Sequence, residues 1–411
     1  MRIGILTFHR SVNNGAVMQC YALSQRLRQD FPNDEVEVID YQMRKVEQAY
    51  SGSISAYFRG CSPMLFLKKA VRLLQEPDKL RKARKRTAVF KGALNKLPLS
   101  PKTILDDGTQ ELIQYINDRY DVLVVGSDAV WNYVTRGFPN AYFPDERVKC
   151  RKLSYAASCY GMDFLNCPEA DRQGIGQSLR HFDFLGVRDG ATEQFVAWSG
   201  AGKTPVHTCD PTAFLQVDKL PVDEDALKKK LRDRGFDFSR PTIGVMGTEK
   251  MVRMVREFYG SRYQIAALYN ATMGADVQLF DLEPYEWAYV FRYFKLTFTT
   301  FFHGTMLSLR NGVPVICIAL KTEFARRHTP KTLDVLTRLG YEDWYFETDY
   351  VAQNLDAIKA TADKLLTASV GEQILERMNR EAESYEAFRS ALARCVDTAE
   401  ENDHSVTDET I

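Results

Sequence analysis

Four short segments of this 411-residue chain carry residue types that can bind an anion or move a proton. The first holds His303, in Phe301-Phe302-His303-Gly304-Thr305, after the strand-like run Leu296–Thr299 and before a helical pattern through Leu307 and Leu309. An imidazole placed there can transfer protons near neutral pH, and Gly304 opens the backbone at the turn. A lone histidine is more often structural. The strand-end position and the following glycine set His303 above His9, His181, His207, His328 and His404.

Gly186-Val187-Arg188-Asp189 ends a second apolar strand. A guanidinium there can fork two N–H donors onto a carboxylate or phosphate; an ion pair between Arg188 and an aspartate explains it equally well. Gly126-Ser127-Asp128-Ala129-Val130-Trp131-Asn132 follows a third strand. Asp128 can serve as a base or a hydroxyl anchor. By local rules alone the better reading is a cap, with Ser127 or Asp128 satisfying the first amides of a short helix and Trp131 in the core. His9–Gly15 follows the first strand. Asn13, Asn14 and Gly15 permit unusual backbone angles, and the helix behind them offers free N–H groups to an anion. The segment is not GxGxxG and has no Lys-Ser/Thr, so dinucleotide and P-loop fingerprints are missing. An ordinary strand-to-helix turn fits it as well as ligand contact.

No HExxH, paired-carboxylate spacing, serine nucleophile elbow or EF-hand loop occurs. The eight cysteines form no CxxC pair and no zinc spacing, and buried reduced thiols are expected. A metal-free, cofactor-free transferase or a binder remains. Lys plus Arg and Asp plus Glu each number 54, so the net charge is zero and exerts no overall pull on nucleic acid. Locally, Lys68–Lys96 carries eleven cations against Glu76 and Asp78, a charge of +9. A solvated helical face explains it; so does attraction to anionic lipid or to an acidic or lipid-linked acceptor.

Elements must bring these segments together. Hydrophobic residues make up 45% and charged residues 26%, as in an ordinary globular chain, and 411 residues exceed one core. Arg2–Phe8, the helical Ala16–Arg28 and Glu35–Tyr41 open a βαβ unit. Asp121–Gly126, Lys152–Ser158, Phe184–Val187 and Val206–Cys209 continue it as strands. Pro241–Gly247 opens a second series with Gln278–Phe280, Leu296–Thr299 and Pro314–Ile318. The expectation is an α/β chain of two Rossmann-like domains, 1–215 and 216–348. A helical basic insertion occupies about 44–120, helices fill 349–396 and an acidic, disordered tail spans 397–411. Two doubly wound sheets leave a cleft, and ligands bind beyond the carboxyl ends of their strands. The start runs straight into a strand without a small-residue cleavage site, so no signal peptide is expected, and no apolar run approaches the ~20 residues of a membrane span.

Several of these segments together resemble polysaccharide pyruvyl transferase family proteins. The matching runs are Ile3-Gly4-Ile5-Leu6-Thr7-Phe8, Asn13-Asn14-Gly15-Ala16, Gln19-Cys20-Tyr21-Ala22-Leu23, Val125–Asn132, Ser154-Tyr155-Ala156-Ala157-Ser158, Val187-Arg188-Asp189, Asp210-Pro211-Thr212 and Phe302-His303-Gly304. They occur in family order from about residue 3 to about residue 320. The resemblance implies a GT-B-like fold, phosphoenolpyruvate as donor and a sugar diol of a surface or exopolysaccharide precursor as acceptor. The product is a pyruvate ketal and released phosphate. It makes His303 the catalytic candidate, assisted by Asp128. It puts donor binding on Arg188, and the turns that end β-like runs add Asn14, Gly15, Gly304 and Thr305 at helix starts as further donor-binding candidates. Some members carry an Arg two residues before that His. Phe301 stands there, which leaves Arg310, Arg326, Arg327 or Lys331 to supply the charge. Apart from the resemblance, the missing export signal gives a cytoplasmic setting as the expectation, and the basic Lys68–Lys96 segment offers peripheral contact with the inner face of the plasma membrane as one reading of its charge.

Two other readings keep the fold. A nucleotide-sugar glycosyltransferase predicts protection by a nucleoside diphosphate and none by phosphoenolpyruvate. A non-catalytic glycan-assembly or membrane-scaffold protein predicts lipid affinity without ketal product.

Overall fold

The apolar runs expected as buried strands build two parallel sheets. The computed structural model of the chain describes residues 1–49, 62–75, 79–134, 136–269, 272–319, 327–347 and 354–405. In the first sheet are β1 (Arg2–Leu6), β2 (Glu35–Val38), β5 (Val122–Val125), β6 (Arg151–Ala157), β7 (Phe184–Val187) and β8 (Val206–His207), in the order β2-β1-β5-β6-β7-β8. The ribbon of β3 (Tyr41–Gln42) and β4 (Ile104–Leu105) stands apart. The second sheet holds β9 (Thr242–Met246), β10 (Gln264–Ala267), β11 (Val277–Gln278), β12 (Phe294–Thr299), β13 (Val315–Ala319) and β14 (Tyr345–Glu347), ordered β11-β10-β9-β12-β13-β14.

The strand order reverses between β1 and β5 in one sheet and between β9 and β12 in the other. Crossover helices leave these neighbours on opposite faces, so the carboxyl ends at each reversal open a crevice. β5 (Val-Leu-Val-Val) is buried on both faces, as its unbroken apolar run requires. The helix Asn14–Asp30 buries Val17, Met18, Cys20, Leu23 and Leu27 at helical spacing.

The two lobes are clasped by packing. Tyr21 on the first helix meets Tyr285 edge-on at 5.1 Å, and the Tyr285 hydroxyl donates to the Ala93 carbonyl at 3.3 Å. The last helix, Tyr385–Ser405, returns to the first sheet, where Phe388 packs on Tyr155 at 4.8 Å and on Phe184 at 6.0 Å.

The structure departs from the expected elements in several places. β10 has no β-branched run, only Gln-Ile-Ala-Ala, and β14 is three residues long, so neither stood out as a strand. Within 44–120 the helices Pro63–Gln75 and Lys79–Leu94 form the insertion, whereas Gln110–Arg119 buries Leu112 and Ile116 in the core with Leu123 and Val125 and leads directly into β5. The C-terminal helical region is three helices, Leu355–Thr367, Gly371–Ala382 and Tyr385–Ser405. The last continues through residues 397–405, expected as a disordered tail, because no Gly or Pro interrupts its alanine-rich start. Residues 406–411 of that tail lie outside the described residues, as do Glu76 and Asp78 of the basic segment.

Candidate functional site

Residues beyond β1, β5 and β7 of the first sheet meet residues beyond β12 of the second. The junction is His303 against Gly15. A Cβ on Gly15 would fall 1.9 Å from His303 Cδ2, so the first turn of one lobe's helix has room only for hydrogen beneath the other lobe's imidazole. Asn13 caps that helix, its side chain accepting from the Gly15 amide at 3.0 Å. Asn14 beside it is buried, with Oδ1 unpartnered. His303 lies in the first turn of the Phe302–Arg310 helix, is 8% exposed, and its Nδ1 has no hydrogen-bond partner.

Arg188 follows β7 directly and is 1% exposed. Its Nη1 donates to Asp210 Oδ2 at 3.0 Å, while Nη2 lies 4.0 Å from Asp128 Oδ1 and Nε 3.8 Å from Asp189 Oδ2. Nε and Nη2 are left without a hydrogen-bond partner. A buried donor without a partner costs about 1–3 kcal/mol, more when charged, so a fold that keeps several together holds them for something. The expected ion pair therefore exists, chiefly with Asp210, but it satisfies only part of the guanidinium. The carboxylates are occupied too. Asp189 caps the next helix through Thr192 and accepts from the Ser158 hydroxyl at 2.6 Å; Asp210 accepts from Thr212 and from Gln19.

Phe302 links the lobes. The Arg188 guanidinium sits 4.7 Å from its ring centroid and the Lys331 ammonium 5.2 Å, with Lys331 also 4.7 Å from the Tyr160 ring. Lys331 opens the helix Lys331–Arg338. Of the cations proposed to replace the one missing at Phe301, Lys331 alone among the described residues joins Arg188. Arg310 donates to the Leu215 carbonyl at 2.7 Å and to Asn379, Arg327 pairs with Asp163 on the surface, and Arg326 lies outside the described residues. Phe301 itself packs against Tyr269, the rings tilted with centroids 4.2 Å apart.

Burial would lower the Arg188 pKa, but Asp210, Asp128 and Asp189 outweigh it and the net shift is upward. Burial would raise Asp128; Arg188, His303 and Lys331 outweigh it, and Asp128 is held below its ordinary value as a carboxylate. Burial dominates for the other two. It brings His303 from 6.5 to about 4 and Lys331 from 10.5 to about 8, each partly opposed by Asp128 and Asp210. At neutral pH the cleft therefore presents a fixed guanidinium, an ammonium, a carboxylate and a neutral imidazole.

Asp128 does not cap a helix. Its φ is +80°, its backbone bridges to Ala157, and Oδ1 turns back to the Ala129 amide at 2.7 Å. The pairing with β6 forbids the helical turn that local rules favoured, and Trp131 is fully buried as expected. Gly304 and Thr305 serve the helix more than the cleft. A Cβ at Gly304 would meet Thr299 Oγ1 at 2.4 Å and Met246 Sδ at 2.8 Å, and the Thr305 hydroxyl donates to the Phe301 carbonyl at 3.3 Å. His9 is buried against Asp40 at 3.0 Å, where Arg10 also binds, so it is structural.

Two residues of the site, Asp210 and Gln19, had no role assigned from the sequence, and a third, Lys331, was one of four candidate cations that the sequence left open. Asp210 opens an Asp-Pro-Thr cap after β8, a pattern that marks a strand end. Gln19 lies one turn beyond Gly15 on the same helix face. Lys331 follows Pro330, a helix-start signal far from the others in sequence.

No curated protein matches the chain. Among solved structures it is similar to the UDP-GlcNAc 2-epimerase of Neisseria meningitidis (TM-score 0.55, 10% identity, covering 96% of this chain and 100% of that one). It is also similar to a putative UDP-N-acetylglucosamine 2-epimerase of Listeria monocytogenes (TM-score 0.53, 13% identity, covering 97% of each chain). These likenesses concern the fold, a GT-B arrangement of two α/β lobes. The family model for polysaccharide pyruvyl transferase matches residues 13–322, a range that includes Asn14, Gly15, Asp128, Arg188 and His303 and stops before Lys331. The chain belongs to the polysaccharide pyruvyl transferase family.

Proposed function

We propose that this protein moves pyruvate from phosphoenolpyruvate onto two hydroxyls of a sugar, forming a ketal and releasing phosphate. Family membership supports transfer of pyruvate to a polysaccharide. The observation that carries the finer reading is the set of unmet buried groups in one cleft: Arg188 Nε and Nη2, and His303 Nδ1. A small donor bearing both a carboxylate and a phosphate suits that set, with Lys331 and two helix starts adding positive potential.

The reaction needs a proton on the vinyl carbon while a sugar oxygen attacks its neighbour. That hydroxyl proton leaves, then phosphate departs as the second hydroxyl adds. Of the two hydroxyl protons, one is balanced by the new methyl group and the other by phosphate. Asp128, held ionised, accepts a hydroxyl proton. Burial keeps His303 neutral, and the negative donor raises its pKa, so that it takes up a proton on binding and delivers it to the vinyl carbon.

The test is phosphate release from phosphoenolpyruvate with lipid-linked or nucleotide-linked sugars, with mass spectrometry of the sugar for the added pyruvyl mass. His303→Ala is expected to lose about 10²–10⁴-fold in turnover while remaining folded. Near-wild-type turnover would remove the imidazole from the mechanism. Protection of the fold by a nucleoside diphosphate and not by phosphoenolpyruvate would favour sugar-nucleotide chemistry instead.

A further inference from the structure

The helix Pro63–Gln75 reads Pro-Met-Leu-Phe-Leu-Lys-Lys-Ala-Val-Arg-Leu-Leu-Gln, with three cations and no acid. Met64, Leu67 and Val71 recur at i, i+3 and i+7 and are 70%, 65% and 44% exposed. Leu65 and Phe66 in the first turn are also exposed, and so is Lys68, one turn from Met64. A soluble surface rarely spends so many large apolar side chains on one stripe. Thirteen residues of helix rise about 20 Å, too short to cross a bilayer but long enough to lie along one.

The adjoining helix Lys79–Leu94 adds seven cations and no acid. Some of these face protein, among them Lys85 toward Asp281 at 3.1 Å, Lys91 toward Glu47 at 3.1 Å and Arg86 toward the Phe90 ring at 5.8 Å. A stripe that offers apolar side chains and Lys together is complementary to a surface with acyl chains below and negative headgroups above. The insertion also reaches the cleft. Arg86 lies 5.9 Å from the Tyr269 ring, and Tyr269 packs against Phe301, two residues before His303.

From this we infer that the Pro63–Gln75 helix docks the protein on an anionic lipid bilayer, which brings the cleft to a membrane surface where a lipid-linked acceptor would stand. The inference is independent of the donor chemistry. It is tested by sedimenting the full chain with vesicles of two parts phosphatidylcholine to one part phosphatidylglycerol, and with phosphatidylcholine alone. The wild type is expected to bind the anionic vesicles and to bind the neutral ones weakly. Met64→Glu/Leu67→Glu is expected to lose at least about tenfold in apparent affinity, and Lys68→Glu at least about fivefold. Leu67→Trp keeps the stripe apolar and is expected to show a blue-shifted emission on anionic vesicles, a readout that does not depend on the charged variants folding. No vesicle binding by the wild type, unchanged binding by the double variant, or no spectral shift would overturn the inference. So would a wild-type dimer that Met64→Glu/Leu67→Glu converts to monomer without loss of vesicle binding, since the stripe would then belong to a second copy.

Discussion

Arg188 is held by Asp210 on one side and left open on two others, and in the proposed reading those open donors take the anionic donor. Lys331 lies outside the range matched by the family model yet shares the Phe302 platform with Arg188. If it supplies charge to the donor, Lys331→Met should raise the KM for phosphoenolpyruvate by about 10–100-fold with a smaller change in kcat, the cost of one charged hydrogen bond; steady-state kinetics over donor concentration decide it, and an unchanged KM places the ammonium outside the donor site. His303 gives a pH signature of its own. Its folded pKa of about 4 lies below its ordinary 6.5, so between those values the unfolded chain binds a proton that the native chain does not. The stability owed to neutral His303 is whole above pH 6.5 and is lost as pH falls toward 4. Melting temperatures across that window should therefore fall less steeply in His303→Gln than in the wild type; parallel curves would mean that the imidazole is not held neutral by burial.

The Asn14–Asp30 helix does two jobs, since its far residues fill a core while its first turn supports the catalytic candidate of the other lobe. Ala is normally favoured over Gly within a helix by about 1 kcal/mol. At Gly15 the methyl group would collide with His303, so Gly15→Ala is predicted to keep the melting temperature within a few degrees and to lose at least about tenfold in kcat. A variant as active as the wild type would show that the imidazole need not sit there. Elements of this kind were legible where one physical rule dominated. β7 was read at Phe184–Val187 because a short unbroken apolar run has few alternatives. β10 escaped because its alanines carry no strand preference, and its place is set by β9 and β11 on either side. The turn at Asp128 was misread as a cap because its geometry is dictated by pairing with Ala157, about thirty residues away.

At the scale of the molecule, the residue chemistry of the site was largely legible and its assembly was not. Strand ends made His303, Arg188 and Asp128 candidates, although local rules favoured a cap for Asp128 and left an ion pair equally open for Arg188. Nothing local could say that Gly15 would touch His303, that Lys331 rather than Arg310 would reach Arg188, or that Asp210 would hold the guanidinium, because those contacts depend on how the two lobes are clasped. The clasp is made by Tyr21 on Tyr285 and by the last helix on the first sheet, far from the chemistry. Its consequence is a cleft in which one lobe supplies the guanidinium and carboxylate and the other supplies the imidazole and ammonium. The most direct measurement is the shift in melting temperature caused by phosphoenolpyruvate in the wild type, Arg188→Ala and His303→Ala. We expect a rise in the wild type that is abolished in Arg188→Ala and reduced in His303→Ala. An equal rise in all three proteins, or a rise with a nucleoside diphosphate alone, would contradict a cleft built for that donor.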